Sequence, residues 1–263
     1  MTLEQVDHIY LSYVQCVKNN LHLAKQDLYF KSDASYNYVL EHVSQQQGVL
    51  YLKLIQEEFP QIYTDHGTYL NTLCSQNDLY GKPNKYYFDG LVQYSPTNMR
   101  YIYHGLLILD YARKCNLNNI NFVEIGGGYG GLCFFIYSLS EIFDIKINSY
   151  TMFDLPDVCK LQEKYLDLLN IDAATAQLNT DINLSPDSFL ISNYAFSEIS
   201  SGLQRQYTEQ VLNPFISHGF LAWNGIDLYS FIDDKDITST PEKPQTGSKN
   251  LFVYVEPKRN KDR

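Results

Sequence analysis

Val123-Glu124-Ile125-Gly126-Gly127-Gly128-Tyr129-Gly130-Gly131 carries an apolar run straight into glycines. Ile120, Phe122 and Val123 have the character of a buried strand, and Gly130 to Ile142 that of a helix. Glycine permits a tight turn and close backbone approach to a ligand, and a helix that opens there offers free N–H groups. The segment therefore predicts a strand, a ligand-cradling turn and a helix.

Two ligand classes fit those glycines. Gly126, Gly128 and Gly131 satisfy the GxGxxG spacing of dinucleotide sites. Glu124, Gly126, Gly128 and Gly130 satisfy Glu-x-Gly-x-Gly-x-Gly. A carboxylate at the strand end is awkward beside a pyrophosphate and suits the ammonium and sulfonium of S-adenosylmethionine. The unit also begins only after about 119 other residues, whereas dinucleotide enzymes more often open with it. S-adenosylmethionine is the predicted cofactor.

Downstream the pattern alternates. Ile145 to Phe153 predicts a strand, Pro156 to Leu169 a helix, and Ser188 to Ser192 a strand. Leu203 to Ile216 predicts a helix and Gly219 to Trp223 a strand; a polar stretch, Asp233 to Lys249, precedes a last strand, Leu251 to Val255. Such alternation implies a mostly parallel sheet in an α/β fold. Asp154 ends the second strand, where a carboxylate accepts both ribose hydroxyls; the alternative is a helix cap before Pro156. Asp181 is a weaker candidate, for the adenine edge.

Upstream, residues 1 to about 58 predict helices. Val6, Ile9, Tyr10, Tyr13, Val14 and Val17 share one face; Tyr36, Val39, Leu40 and Val43 share another. A third pattern runs from Val49 to Phe59 and ends at Pro60. From 60 to 95, Gly67, Gly81, Pro83, Asn84, Gly90 and Pro96 interrupt a stretch with several Tyr, which predicts an irregular, substrate-facing lid. Ser95-Pro96 opens a helix closed by Arg113 and Lys114. The expected division is a helical cap and lid over 1–93 and a cofactor-binding core over 94–263. The apolar helix faces need burial, and a homodimer would supply it.

Composition narrows the partners. The chain has 263 residues and a formal charge of −10, with 20 basic against 30 acidic residues, which predicts no general nucleic-acid partner. The richest apolar segment, Leu132 to Ile147, is broken by Ser138, Ser140, Glu141 and Asp144, so no membrane span of ~18 to 20 residues is expected. Without a basic and then apolar N-terminus, and with five scattered cysteines, the expected location is cytoplasmic, with reduced thiols.

Three segments together resemble a family. Glu124-Ile-Gly-Gly-Gly-Tyr-Gly-Gly131, Phe153-Asp-Leu-Pro156 and Ser192-Asn-Tyr-Ala-Phe-Ser-Glu198 look like the sugar O-methyltransferase family of the Rossmann-like class I methyltransferase fold. Tyr94-Ser-Pro-Thr-Asn-Met-Arg-Tyr101 adds to the match, which covers roughly residues 90 to 256. The resemblance implies a seven-stranded sheet whose last strand runs antiparallel. It also implies an S-adenosylmethionine-dependent O-methyltransferase for a sugar or nucleotide-linked sugar, in glycan assembly. Read from the residues, the candidate cofactor set is Glu124, Gly126, Gly128, Gly130, Asp154, Leu155, Asp181 and Asn193, with Arg100 for the methionine carboxylate or an acceptor phosphate.

In open α/β sheets ligands bind beyond the carboxyl ends of the strands, which places Asn193 to Ile199 near the transferable methyl. A sugar hydroxyl is a weak nucleophile, and a positioned base helps it. Glu198 is the first candidate base, His104 the second; Asp227 and His66 are further candidates. No Asp, Glu or His cluster has metal-ligand spacing, so a metal-independent reaction is expected. Two rival readings remain: a small non-sugar hydroxyl or nitrogen acceptor, and a non-catalytic methyltransferase-like binding protein. Asn193-Tyr194 faintly matches an Asn-Pro-Pro-Tyr amino-methyltransferase loop, but both prolines are missing.

Overall fold

The computed structural model describes residues 3–40, 42–89, 92–178, 180 and 182–258. Its helices begin with α1 (Leu3–Leu21), α2 (Ala34–Val39), α3 (Gln45–Glu58) and α4 (Pro60–Asn77). Two short strands, β1 (Tyr86–Tyr87) and β2 (Gln93–Tyr94), pair antiparallel before α5 (Pro96–Lys114). Then follow β3 (Asn119–Ile125), α6 (Gly131–Ser140), β4 (Lys146–Phe153), α7 (Pro156–Leu168), β5 (Ala174–Ala176) and β6 (Ser188–Asn193). A short α8 (Ala195–Glu198) and α9 (Ser201–Tyr207) lead to β7 (Ile216–Trp223), β8 (Lys235–Pro241) and β9 (Leu251–Pro257).

Seven strands form one sheet in the order β5-β4-β3-β6-β7-β9-β8. Each of the neighbouring pairs from β5 to β7 is parallel, and β9 runs antiparallel to both β7 and β8. The expected α/β sheet with an antiparallel last strand is therefore present. The chain order reverses between β3 and β6, the position where such sheets open a crevice at their carboxyl ends.

Two compact units make up the chain. The sheet unit spans 112–127, 144–154 and 173–263. Its core gathers Val123, Ile125, Leu190, Leu221, Trp223 and Val253 from the strands with Phe196, Val211 and Leu212. The helical unit spans 1–111, 128–143 and 155–172. At its centre Phe30, Tyr129 and Tyr165 meet edge-on or tilted, and the Lys31 ammonium lies 4.3 Å over the Tyr129 ring. That ammonium also donates to the Asn77 carbonyl and, at 3.2 Å, to the Tyr165 hydroxyl, so a wholly buried cation is hydrogen-bonded as burial demands. Lys164 on α7 donates to the carbonyls of Asn20 and Leu21, two of the groups a helix C-terminus leaves without partners.

Two expectations needed correction. Residues 60 to 77 are not irregular but helical: Pro60 starts α4 at its first position rather than merely ending α3. Leu70, Leu73, Cys74 and Asn77, at i, i+3, i+4 and i+7, are its buried stripe. The polar stretch 233 to 249 also contains a strand, β8. Among the described residues it pairs with β9 alone, and an edge strand of largely exposed residues needs no apolar alternation. The five cysteines are free thiols. No helix among the described residues is long and apolar enough to cross a membrane.

Candidate functional site

Glu124 closes β3 with its carboxylate inside the protein, the residue being 1% exposed. The Tyr150 hydroxyl, from the adjacent β4, donates to Glu124 Oε2 at 2.8 Å. Burial pushes the carboxyl up to about 7; the Tyr150 bond opposes this, and neighbouring Asp154 adds to the rise. Gly127 is closely flanked by side chains: a Cβ there would stand 3.2 Å from Glu124 Oε2 and 3.0 Å from the Met152 sulfur.

The turn after β3 is held by β4 and β6. Gly126 donates its N–H to the Phe153 carbonyl at 2.9 Å, with φ +77. The Ser192 hydroxyl on β6 donates to the Ile125 carbonyl at 2.9 Å and accepts the Phe196 N–H at 3.0 Å. One serine thus ties the end of β3 to the start of α8. Asp154 follows β4 and is half-buried. Leu155, and not Asp154, is the cap residue of α7, with no side-chain cap bond.

Asn193 ends β6, and its Oδ1 is buried with no hydrogen-bond partner among the described residues. A buried acceptor in that state carries a desolvation penalty that a ligand donor relieves. Tyr194, next to it, takes φ +65, a left-handed conformation rare for a bulky residue. Its N–H donates to the Ala222 carbonyl at 2.7 Å, its hydroxyl donates to Glu242, and its carbonyl accepts Ser197 Oγ at 2.9 Å. Glu242 is 2% exposed and also accepts the Thr246 N–H at 2.8 Å. Sequence reasoning missed Glu242, because a carboxylate inside a polar loop carries no periodic signal.

Glu198 ends α8 at the surface and accepts a bond from the Asn224 side chain. Although the residue is exposed, its carboxyl end is crowded enough that desolvation raises its pKa, with the Asn224 bond opposing. Asp227 lies exposed in the loop after β7. Asp181 lies outside the described residues.

The remaining predicted residues belong to the helical unit. Gly128, at φ +59, faces Leu40: a Cβ on the glycine would stand 3.2 Å from Leu40 Cδ1. Gln162 donates to the Gly128 carbonyl at 3.0 Å. Gly130, at φ +90, immediately precedes α6. Arg100 is 7% exposed and donates from Nη2 to the Leu40 carbonyl at 2.9 Å. His104 has no exposed surface; its ring packs 5.8 Å from Tyr51 and 6.2 Å from Tyr103. His66 falls inside α4.

The structure thus collects Glu124, Gly126, Asp154 and Asn193 at the carboxyl ends of β3, β4 and β6, with Glu198 one short helix further on. Among the described residues no three His, Cys, Asp or Glu side chains gather where a metal ion would be held.

No protein-family profile matches the chain, and no curated protein matches it. Solved structures do. A candidate S-adenosyl-L-methionine-dependent methyltransferase from Methanococcus maripaludis is 8% identical over 61% of this chain and 87% of its own, with a TM-score of 0.42. The CMeT domain of the citrinin polyketide synthase is 9% identical over 64% of this chain and 55% of its own, TM-score 0.44. The S-adenosylhomocysteine-bound methyltransferase of Podospora anserina is 12% identical over 60% and 79%, TM-score 0.40. At such identities a likeness concerns the course of the chain and not what it binds.

Proposed function

We propose that this chain is an S-adenosylmethionine-dependent methyltransferase acting on a sugar hydroxyl. The observation that carries the cofactor reading is the pairing of two buried acceptors at adjacent strand ends. Glu124 presents a carboxylate on β3, and Asn193 presents an unpartnered Oδ1 on β6. A ligand with an ammonium and a sulfonium brings a donor for the Asn193 oxygen and positive charge for Glu124; a pyrophosphate brings neither. Gly126 and Gly128 take the positive φ that the turn needs, and Asp154, directly after β4, is assigned to the ribose hydroxyls.

When bound, the cofactor supplies an electrophilic methyl whose bond to sulfur breaks as the acceptor oxygen bonds to carbon, the electron pair passing to sulfur. Glu198 takes the hydroxyl proton in this reading. Desolvation raises its pKa, which strengthens it as a base, and the Asn224 bond fixes its orientation. Arg100 is assigned to the methionine carboxylate, for which it would exchange the Leu40 carbonyl. The sugar assignment is supported by the resemblance of the Asp-Leu-Pro and Asn-to-Glu segments.

The test is calorimetry with S-adenosylmethionine and S-adenosylhomocysteine, followed by labelled methyl transfer to a panel of sugars and nucleotide sugars. Binding of both cofactor forms and labelling of a sugar hydroxyl is the expected result. Tight NADH binding with none for S-adenosylmethionine overturns the cofactor. Transfer only to an amine or a non-sugar hydroxyl overturns the acceptor.

A further inference from the structure

The helical unit contains a cavity of about 130 Å³ lined by none of the residues assigned above. Its polar lining is Asn37, His42, Asn84, Tyr86 and Ser95, and Val43 and Pro96 form an apolar wall. Asn84 and Tyr86 are exposed and mark its mouth. Within it, Asn37 Oδ1 is buried with no hydrogen-bond partner among the described residues. We propose that this cavity binds the sugar ring of the acceptor, as a neutral, monosaccharide-sized polyol whose hydroxyls donate to Asn37 and bond the other amide and hydroxyl groups. The inference rests on the sugar reading above.

Three features select that chemistry. The first is charge. Lys31 borders the cavity, but its ammonium is engaged by the Asn77 carbonyl, the Tyr165 hydroxyl and the Tyr129 ring. His42 retains solvent access, yet burial of the ring, with the nearby Arg100 guanidinium, holds it down to about 4, so it is uncharged at neutral pH. No carboxylate lines the cavity among the described residues. A phosphate would have to compete for the Lys31 ammonium with the partners that already hold it, while a polyol needs no counter-charge. The second is size: the volume lies below the ~300 Å³ at which drug-sized ligands are housed, so a nucleotide does not fit beside a sugar ring.

The third is continuity with the glycine turn. Leu40 packs against Gly128, and His42 and Val43, two and three residues later, line the cavity. One short segment of the helical unit therefore touches both Gly128 and the cavity wall. Val43 and Pro96 offer the apolar face that a sugar ring's C–H groups need.

Ligand-observed NMR on the full chain tests this with D-galactose, L-rhamnose, N-acetyl-D-glucosamine and D-glucose 6-phosphate as probes. At least one neutral sugar is expected to bind, and Asn37→Leu, which replaces the buried amide by an apolar group of similar size, is expected to weaken it about tenfold. Val43→Phe, which fills the cavity, is expected to remove binding. Melting temperature and S-adenosylhomocysteine affinity, measured on the same samples, report that both variants fold. Equal binding by wild type and both variants overturns the proposal, as does binding of the sugar phosphate alone or of no sugar at all. A chain that methylates a sugar as fast in Asn37→Leu as in wild type keeps the transferase and loses the cavity. A chain that binds sugars through Asn37 but no S-adenosylhomocysteine loses the transferase instead.

Discussion

Ala195 leaves Gly126 no space for a side chain: a Cβ built on the glycine would fall on the alanine methyl. The turn leaving β3 and the turn leaving β6 therefore meet across one small residue each. Because Gly126 also sits at φ +77, Gly126→Ala combines steric overlap with backbone strain. A loss of ~2 to 4 kcal/mol in unfolding free energy is expected, read by denaturant titration. Gly128→Val should instead leave the strands intact by circular dichroism and abolish S-adenosylhomocysteine binding. Wild-type stability for Gly126→Ala would show that the two turns do not pack as described.

Glu124 makes stability depend on pH. Its folded-state pKa, about 7, lies above the ordinary carboxyl value of 4.5, so the folded chain holds a proton more tightly than the unfolded one. Stability contributed by that proton is full below about pH 4.5 and is lost as pH rises toward 7. Glu124→Gln removes the dependence. The variant should melt above wild type at pH 8, by an amount on the order of 3 kcal/mol, and converge with it near pH 5. Its cofactor affinity should fall at the same time. A constant gap between the two melting curves from pH 5 to 8 would refute the burial argument.

Glu198→Gln preserves shape and hydrogen bonding and removes basicity. Turnover should fall ~10²-fold or more, with S-adenosylmethionine affinity nearly unchanged, a split that separates chemistry from binding. Because desolvation raises the Glu198 pKa, the acid limb of the wild-type rate profile should stand above the usual carboxylate range and vanish in the variant. His104→Ala and Asp227→Asn serve as controls. If either loses turnover while Glu198→Gln keeps it, the base is that residue.

Tyr194 and Glu242 should be energetically coupled. Tyr194→Phe withdraws a donor from a carboxylate that is 2% exposed, and should destabilise the fold by ~1 to 3 kcal/mol. In a double-mutant cycle with Glu242→Gln the two losses should fail to add, by about 1 kcal/mol. Strict additivity would mean that the bond does not restrain the turn at Asn193.

Legibility in the sequence followed locality. The glycine turn, β3, β4 and β9 announced themselves through apolar runs ending in glycine or a charged residue, because buried strands leave few alternatives. Edge strand β8 did not: Lys235-Asp-Ile-Thr-Ser-Thr-Pro241 is shaped by exposure and a single neighbour. Helix α4 was hidden by Pro60, which reads equally as a stop or a start, and by Gly67, which breaks the visible period. For the candidate site, Glu124 was singled out by its spacing to the glycines and Asn193 by its place after a strand, whereas the burial of Glu242 and the orphaned Asn37 Oδ1 depend on contacts that no local pattern announces. His104, read as a possible base, sits on a helix that turns it wholly inward.

The position of β9 between β7 and β8 has consequences before the fold is complete. β8 and β9 are neighbours in sequence, joined by residues 242–250, and can pair as a hairpin. β7, ending at Trp223, must wait for β9, which begins only at Leu251. During that interval β7 offers the unpaired edge of Phe220-Leu221-Ala222-Trp223, a run wholly buried once docking is done. Such an edge is a template for pairing with another copy of the chain. Substitutions that slow the β8–β9 hairpin should therefore surface first as insoluble material during expression, with normal behaviour in whatever fraction escapes aggregation.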